Sequence, residues 1–237
     1  MMNGKFVVID GTDGSGKGTQ TQLLLQRLRD KGYKAEFNDF PQYGKKSAGL
    51  VEEYLNGKYG SAEEVGPYAA SIFYACDRFD ASFQIRQWLE EGKIVIANRY
   101  VSSNQGHQGC KIEDKDKRKR YLEWLDDLEY NIFGIPRPDI TLFLYVPVEI
   151  SSKLVDGKDL RDYIEKGNKD IHEEDLTYIK KAQDAYVEAC SQALNWTMID
   201  CTDGENILSR QDINDMIWKN LGDLPNLDIK ESAFKLD

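Results

Sequence analysis

Histidine is scarce in this chain, with two in 237 residues, and the four cysteines (Cys76, Cys110, Cys190 and Cys201) stand far apart. No metal-ligand spacing and no disulfide framework can be drawn from such a set, so a zinc site and a disulfide scaffold are excluded. Four buried free thiols in a reducing compartment are expected instead. Long apolar runs are missing as well. The longest, Phe6–Ile9 and Ile140–Val146, fall far short of the ~20 residues a membrane-spanning helix needs. Positive charge is also deficient: 31 Lys and Arg against 41 Asp and Glu leave a net charge of −10. A chain this acidic does not hold a nucleic-acid backbone over a broad face, so any bound anion must sit in a local pocket. The N-terminus runs straight into a strand-like segment with no secretory leader. No repeat or low-complexity linker divides the chain. These absences point to a cytoplasmic single domain that acts on small molecules, with neither membrane nor nucleic acid as partner.

What is present is an alternation of short apolar strands and amphipathic helices. Lys5–Asp10, Lys34–Phe37, Ile94–Ala97, Ile140–Val146 and Trp196–Asp200 read as five strands. They are apolar on consecutive positions, as strands covered on both faces are. Helical spacing marks 17–31, 47–57, 67–91, 114–133, 173–194 and 209–220. The face of 67–91 carries Ile72, Cys76, Phe79, Phe83, Trp88 and Leu89, and that of 114–133 carries Tyr121, Leu125, Leu128 and Ile132. The pattern predicts a three-layer α/β fold with a five-stranded parallel sheet, one domain over 1–222 followed by an acidic tail, 223–237. The stretch 149–172 holds Lys153, Lys158 and Arg161 among several acids and reads as a mobile charged segment.

The strand ending at Asp10 leads into Gly11-Thr12-Asp13-Gly14-Ser15-Gly16-Lys17-Gly18-Thr19 and then a helix. This is G-x-x-x-x-G-K between a strand and a helix, the context in which the motif cradles phosphates. Glycines let backbone N–H groups converge on an anion, the helix N-terminus adds partial positive charge, and Lys17 adds a full one. A glycine-rich turn that binds nothing is the alternative. The hydroxyl that usually follows the lysine and binds Mg²⁺ is absent at Gly18, so the ion would be held mainly by phosphates and water, with Asp10 and Asp13 as second-shell candidates. After the third strand, where an acid often organises the metal, stands Asn98. A guanine-reading N/T-K-x-D motif fails at Asn168-Lys169-Asp170-Ile171, and the length excludes a large motor ATPase.

Further motifs extend along the chain: Phe40-Pro41-Gln42-Tyr43-Gly44, Asp77-Arg78, Asn98-Arg99-Tyr100-Val101-Ser102-Ser103-Asn104, Gln108-Gly109 and Pro136-Arg137-Pro138-Asp139. With the phosphate loop, in this order, they resemble the thymidylate kinase family of nucleoside-monophosphate kinases over about residues 5–200. Gly16–Gln20 taken alone looks more like adenylate kinase. The resemblance implies a P-loop NTPase fold with a lid at about 149–172, a homodimer, and transfer of phosphate from MgATP to dTMP in dTTP synthesis. It implies that Gly11, Asp13, Gly14, Ser15, Gly16, Lys17, Gly18, Thr19 and the lid residue Arg161 bind ATP. It implies that Asp13, Phe40, Pro41, Tyr43, Tyr74, Arg78, Arg99, Asn104 and Gln108 bind dTMP, and that Lys17, Arg99 and Asp13 are catalytic. Tyr74 replaces the family's usual Phe, His107 its usual Tyr, and Asn98 its usual Asp. Read as residues alone, Arg78 could equally pair with Asp77 at the surface, Tyr74 could be core, and Asn104 and Gln108 are polar loop residues. A kinase for another monophosphate such as dUMP or AMP, or a non-catalytic nucleotide-binding regulator, are the other readings. The loop Thr202–Glu205 is the candidate for adenine contacts.

Overall fold

Side chains point to alternate faces of a strand, and both faces of the central strand here are covered. In the computed structural model, which describes residues 4–155 and 176–222, β1 (Lys5–Asp10) sends Val7 and Ile9 into one core layer and Phe6 and Val8 into another. The first layer is closed by α1 (Lys17–Asp30) and α8 (Arg210–Gly222), through Leu24, Leu28, Ile213 and Ile217. The second is closed by α3 (Ala62–Glu90) and α5 (Lys115–Asp126), through Ala81, Ile85, Tyr121 and Leu125. With β2 (Ala35–Asp39), β3 (Ile94–Asn98), β4 (Ile140–Tyr145) and β5 (Trp196–Asp200), the sheet is parallel throughout and ordered β2-β3-β1-β4-β5. β1 lies between β3 and β4, so the strand order reverses around it. The crevice beyond its carboxyl end is where an open α/β sheet places ligands.

The remaining helices are α2 (Gly49–Leu55), α4 (Val101–His107), α6 (Val148–Val155) and α7 (Leu176–Gln192). The three-layer fold and all five strands expected from the pattern are present. Boundaries shift where local chemistry decides them. Ser61 opens α3 with a capping box to Glu64, and Gly66 (φ 72) breaks the helix before Pro67 restarts it. α4 was expected as a loop. Its seven residues carry too few apolar side chains to show a helical period, and packing against α7 makes the helix. α5 ends at Asp126 and passes into a π-helical turn, Asp127–Ile132. Glu129, four residues on from buried Leu125, takes the inward place and is fully buried, while Leu128, expected on the apolar face, is only partly buried and Ile132 is 67% exposed. On α3, Ile72, Phe79 and Phe83 are likewise exposed rather than core. Cys110 and Cys201 are buried while Cys76 and Cys190 are only partly so, and all four are free thiols. Burial pushes the Cys110 and Cys201 thiols up to about 11 and about 12. Of the charged segment 149–172, residues up to 155 belong to α6. The remainder, with Lys158, Arg161 and the tail 223–237, lies outside the described residues.

Candidate active site

β1 ends against the sheet's switch point and the chain turns into α1 through Gly11–Gly16. Gly14 (φ 81) and Gly16 (φ 82) occupy the left-handed region, which glycine enters without a Cβ penalty. Lys17 folds back over the loop, donating to the Thr12 carbonyl at 2.8 Å with its Nζ 3.8 Å from Asp13. Thr12 Oγ1 and Ser15 Oγ are buried without a hydrogen-bond partner among the described residues. Orphaned hydroxyls are costly, and in a loop of convergent donors they suit phosphate oxygens. Thr19, expected as a phosphate donor, is exposed. A side chain at Gly18 would meet nothing within 4 Å, so packing does not impose glycine there.

Asp10 was a candidate to hold metal-bound water. It is fully buried, and its carboxylate accepts from Ser102 Oγ (2.5 Å), Ser103 Oγ (2.9 Å), the Tyr186 hydroxyl (2.9 Å) and Gly11 N–H (2.8 Å). A carboxylate offers about four acceptor sites, so Asp10 ties β1 to α4 and α7 instead. Burial, with Asp10 beside it, holds the Tyr186 phenol well above its usual range, which keeps it a donor. Asn98 donates to Asp39 at 2.8 Å. Desolvation holds the Asp39 carboxyl above its ordinary value, against the Asn98 hydrogen bond and the charges of Arg99 and Lys17.

Arg99 follows β3 at φ 65, a conformation that costs a non-glycine residue ~1–3 kcal/mol. It turns the guanidinium back over β1: NH2 donates to Asp13 at 2.7 Å and NH1 to Ser103 Oγ at 3.3 Å, with His107 Nε2 3.1 Å from NH1. Burial alone would disfavour its charge, but Asp13 and Asp10 hold it above the ordinary range. Tyr178 on α7 donates to the His107 carbonyl (3.1 Å) with its hydroxyl 3.3 Å from Nδ1. Arg99 donating to Nε2 and Nδ1–H donating to Tyr178 is the tautomer that satisfies every contact.

Beside Arg99 opens a cleft of about 590 Å³, the open solvent at its mouth included. It is lined by Asp13, Phe40, Pro41, Tyr43, Tyr74, Arg78, Arg99, Asn104 and Gln108, all nine residues assigned to dTMP from the resemblance. Asp77 and Arg78 are neighbours in sequence but work on opposite walls. Asp77 accepts from Gln42 N–H (2.7 Å) and Ser47 Oγ (2.6 Å), fastening the loop after β2 to α3. Arg78 does not pair with Asp77 at the surface. It is 2% exposed and forks onto Glu129. Tyr74 packs edge-to-face on Tyr54 and lines the cavity as well, so core and site are one role. Asn104 sits within α4, its Nδ2 donating to the Ser71 carbonyl at 3.3 Å, and Gln108 caps the helix while accepting from Lys111 at 2.8 Å. His107 lines it too, and Leu55, Tyr100, Ser103 and Tyr178 complete the lining without having been assigned a role from sequence. Tyr100 and Ser103, inside the Asn98–Asn104 block, carried a signal for it; Leu55 and Tyr178 did not.

Among the described residues no group of three or more His, Cys, Asp or Glu is arranged to hold a metal. With Asp10 sealed, Asp13, its side chain 26% exposed, is the acid at the open side of the loop. The residues present fit Mg²⁺ only as an ion that phosphate oxygens and its own waters would hold, and Asp13 is the acid that would face those waters.

Comparison with known proteins bears on the same segments. The thymidylate kinase family model matches residues 9–211. A probable thymidylate kinase of Thermococcus onnurineus is 34% identical over 167 residues, 68% of this chain and 76% of that protein. The thymidylate kinase of Mycobacterium tuberculosis is 28% identical over 189 residues, 79% of this chain and 86% of that protein. The fold is shared with a solved thymidylate kinase structure from Candida albicans, with a TM-score of 0.70 and 23% identity over 92% of this chain and 91% of that one. A phosphate loop beside an open cleft, and a family match that spans both, place this chain in the thymidylate kinase family.

Proposed function

We propose that the protein transfers the γ-phosphoryl group of ATP to dTMP, yielding dTDP for dTTP synthesis. One observation carries the reading: Asp13 links Lys17 of the phosphate loop to Arg99 of the adjoining cavity, so two phosphates bound on either side would meet end to end. The acceptor phosphate is already anionic and needs no strong base. Catalysis is then positioning and charge stabilisation. Lys17 and the loop N–H groups hold the donor phosphates. Arg99, fixed by Asp13 and Ser103, holds the acceptor phosphate. Mg²⁺, when bound, neutralises the donor's oxygens. Phe40 and Tyr74 offer apolar faces to sugar and base. Arg78, with only N–H donors, suits a ring carbonyl.

The test is ADP release with ATP and a panel of acceptors: dTMP, dUMP, dCMP and AMP. The largest kcat/KM is expected with dTMP, and dUMP next, because a 5-methyl group is worth only ~1 kcal/mol. AMP as the preferred acceptor would defeat the reading.

The same reading includes a homodimer formed through α3. Tyr68, Ile72, Phe79 and Phe83 make an exposed stripe along it, Phe83 being 60% exposed, and Ile132 adds to its edge. Exposed apolar stripes of this kind mark interfaces. Phe83→Glu is expected to yield monomers in sedimentation equilibrium; an unchanged mass would place the interface elsewhere. No described helix is long and apolar enough to cross a membrane, in keeping with the cytoplasmic location proposed for dTMP phosphorylation.

A further inference from the structure

Glu129 is the one acid on the inward side of the α5 extension, and it is fully buried. It stands four residues on from buried Leu125, within the π-helical turn Asp127–Ile132, where Phe133 N–H bonds the Leu128 carbonyl at 2.9 Å. A π turn is a costly departure that recurs at functional sites. A buried ion pair is a poor stabiliser compared with apolar packing. Both features therefore call for a reason other than stability.

The reason lies in what Glu129 does to Arg78. A guanidinium has five N–H groups. Arg78 Nε–H is shared between both Glu129 oxygens at 3.1 Å, one NH2 proton goes to Glu129 Oε1, and one NH1 proton goes to the Tyr100 carbonyl at 3.3 Å. Two N–H groups remain without a protein partner among the described residues, on a side chain that lines the cavity. Burial disfavours the Arg78 charge and Glu129 more than restores it. Held along the Nε edge, the fork cannot swing to another rotamer.

We propose that Glu129 is a positioning residue that fixes Arg78 as a donor-only reader of the base, so that the site takes a pyrimidine with a 4-oxo group and rejects one with a 4-amino group. This rests on the reading of the cavity as the nucleoside-monophosphate site. A 4-oxo oxygen accepts from the two remaining N–H groups. A 4-amino group is itself a donor and would leave buried donors facing one another. That mismatch discriminates only while the arginine is unable to turn away, which is what Glu129 ensures.

The test compares dTMP and dCMP as acceptors for the unaltered protein, Glu129→Gln and Glu129→Asp, with melting temperature followed in parallel. Glu129→Gln is expected to raise the dTMP KM and lower the dTMP:dCMP ratio of kcat/KM, each by about tenfold, with the KM for ATP unchanged. Glu129→Asp, which keeps the charge but retracts it, should move both in the same direction by less. A purely structural role would lower melting temperature and scale kcat equally for both acceptors. An unchanged ratio in Glu129→Gln, or in Glu129→Asp if the first variant does not fold, overturns the inference. Should the unaltered protein fail to phosphorylate dTMP, the reading of the site fails first and the inference with it.

Discussion

Lys17→Met is expected to lower kcat by about 10³-fold while the melting temperature stays within a few degrees. The size follows from the role. A preorganised charge aimed at a transferring phosphoryl group is worth ~10²–10⁵ in rate, and Lys17 is the loop's one full positive charge, its side chain 8% exposed. The stability follows from the neighbours. Methionine replaces the aliphatic stem with a chain of similar volume. Asp13 is not left without a cation, because Arg99 NH2 lies 2.7 Å from it. The Thr12 carbonyl loses the ammonium but keeps the Ser15 N–H at 3.2 Å. Coupled ADP release against a thermal melt reads both quantities. Residual turnover above a tenth of the original would mean that the loop binds phosphate without taking part in transfer. A large drop in melting temperature would mean that Lys17 holds the loop rather than its ligand.

Sequence patterns predict best where one physical cause acts alone. The five strands are continuous apolar runs, and each needs burial on both faces, so their existence and parallel arrangement were legible. The phosphate loop was legible because its glycines, lysine and helix start are contiguous. The cavity residues were legible through the resemblance, since Phe40, Tyr74, Arg78, Asn104 and Gln108 come from separate elements whose meeting no local pattern states. Legibility ended where two causes compete. Along α5, Leu128 and Glu129 both stand near the buried face, three and four residues after Leu125; apolarity favours Leu128, but the pairing demand of Arg78 gives the buried place to Glu129. On α3, a stripe regular enough to read as core is exposed, because the chain's own layers leave that face uncovered. In α4, polar residues hid a helix whose cause lies eighty residues away, on α7.

That α4–α7 contact carries the second large effect. Gly106→Ala is expected to destabilise the protein by about 3 kcal/mol or more, a fall in melting temperature of roughly 6–12 °C. A Cβ at this position would lie 2.3 Å from Tyr186 Cε2 and 2.4 Å from Cδ2, closer than any carbon contact. Neither partner can give way easily. Tyr186 is stacked on Phe143 at 5.0 Å with rings 6° from parallel, and its hydroxyl is fastened to Asp10. Gly106 stands in a helix whose first turn supplies Ser102 and Ser103 to the same carboxylate. Relief of the clash must therefore separate α4 from α7 or withdraw the Tyr186 hydroxyl. Either way Asp10 loses donors while remaining buried, and the Gly11 turn and Arg99 lose their common anchor. Activity at temperatures where the variant is still folded should then fall along with stability. Tyr186→Leu placed in the Gly106→Ala background removes the ring edge and should recover part of the melting temperature without recovering turnover, because the donor to Asp10 stays missing. Urea unfolding of the unaltered protein and the two variants, together with ADP release, measures both. A Gly106→Ala protein as stable and active as the original would show that the two helices have slack, and that Asp10 does not depend on their close approach.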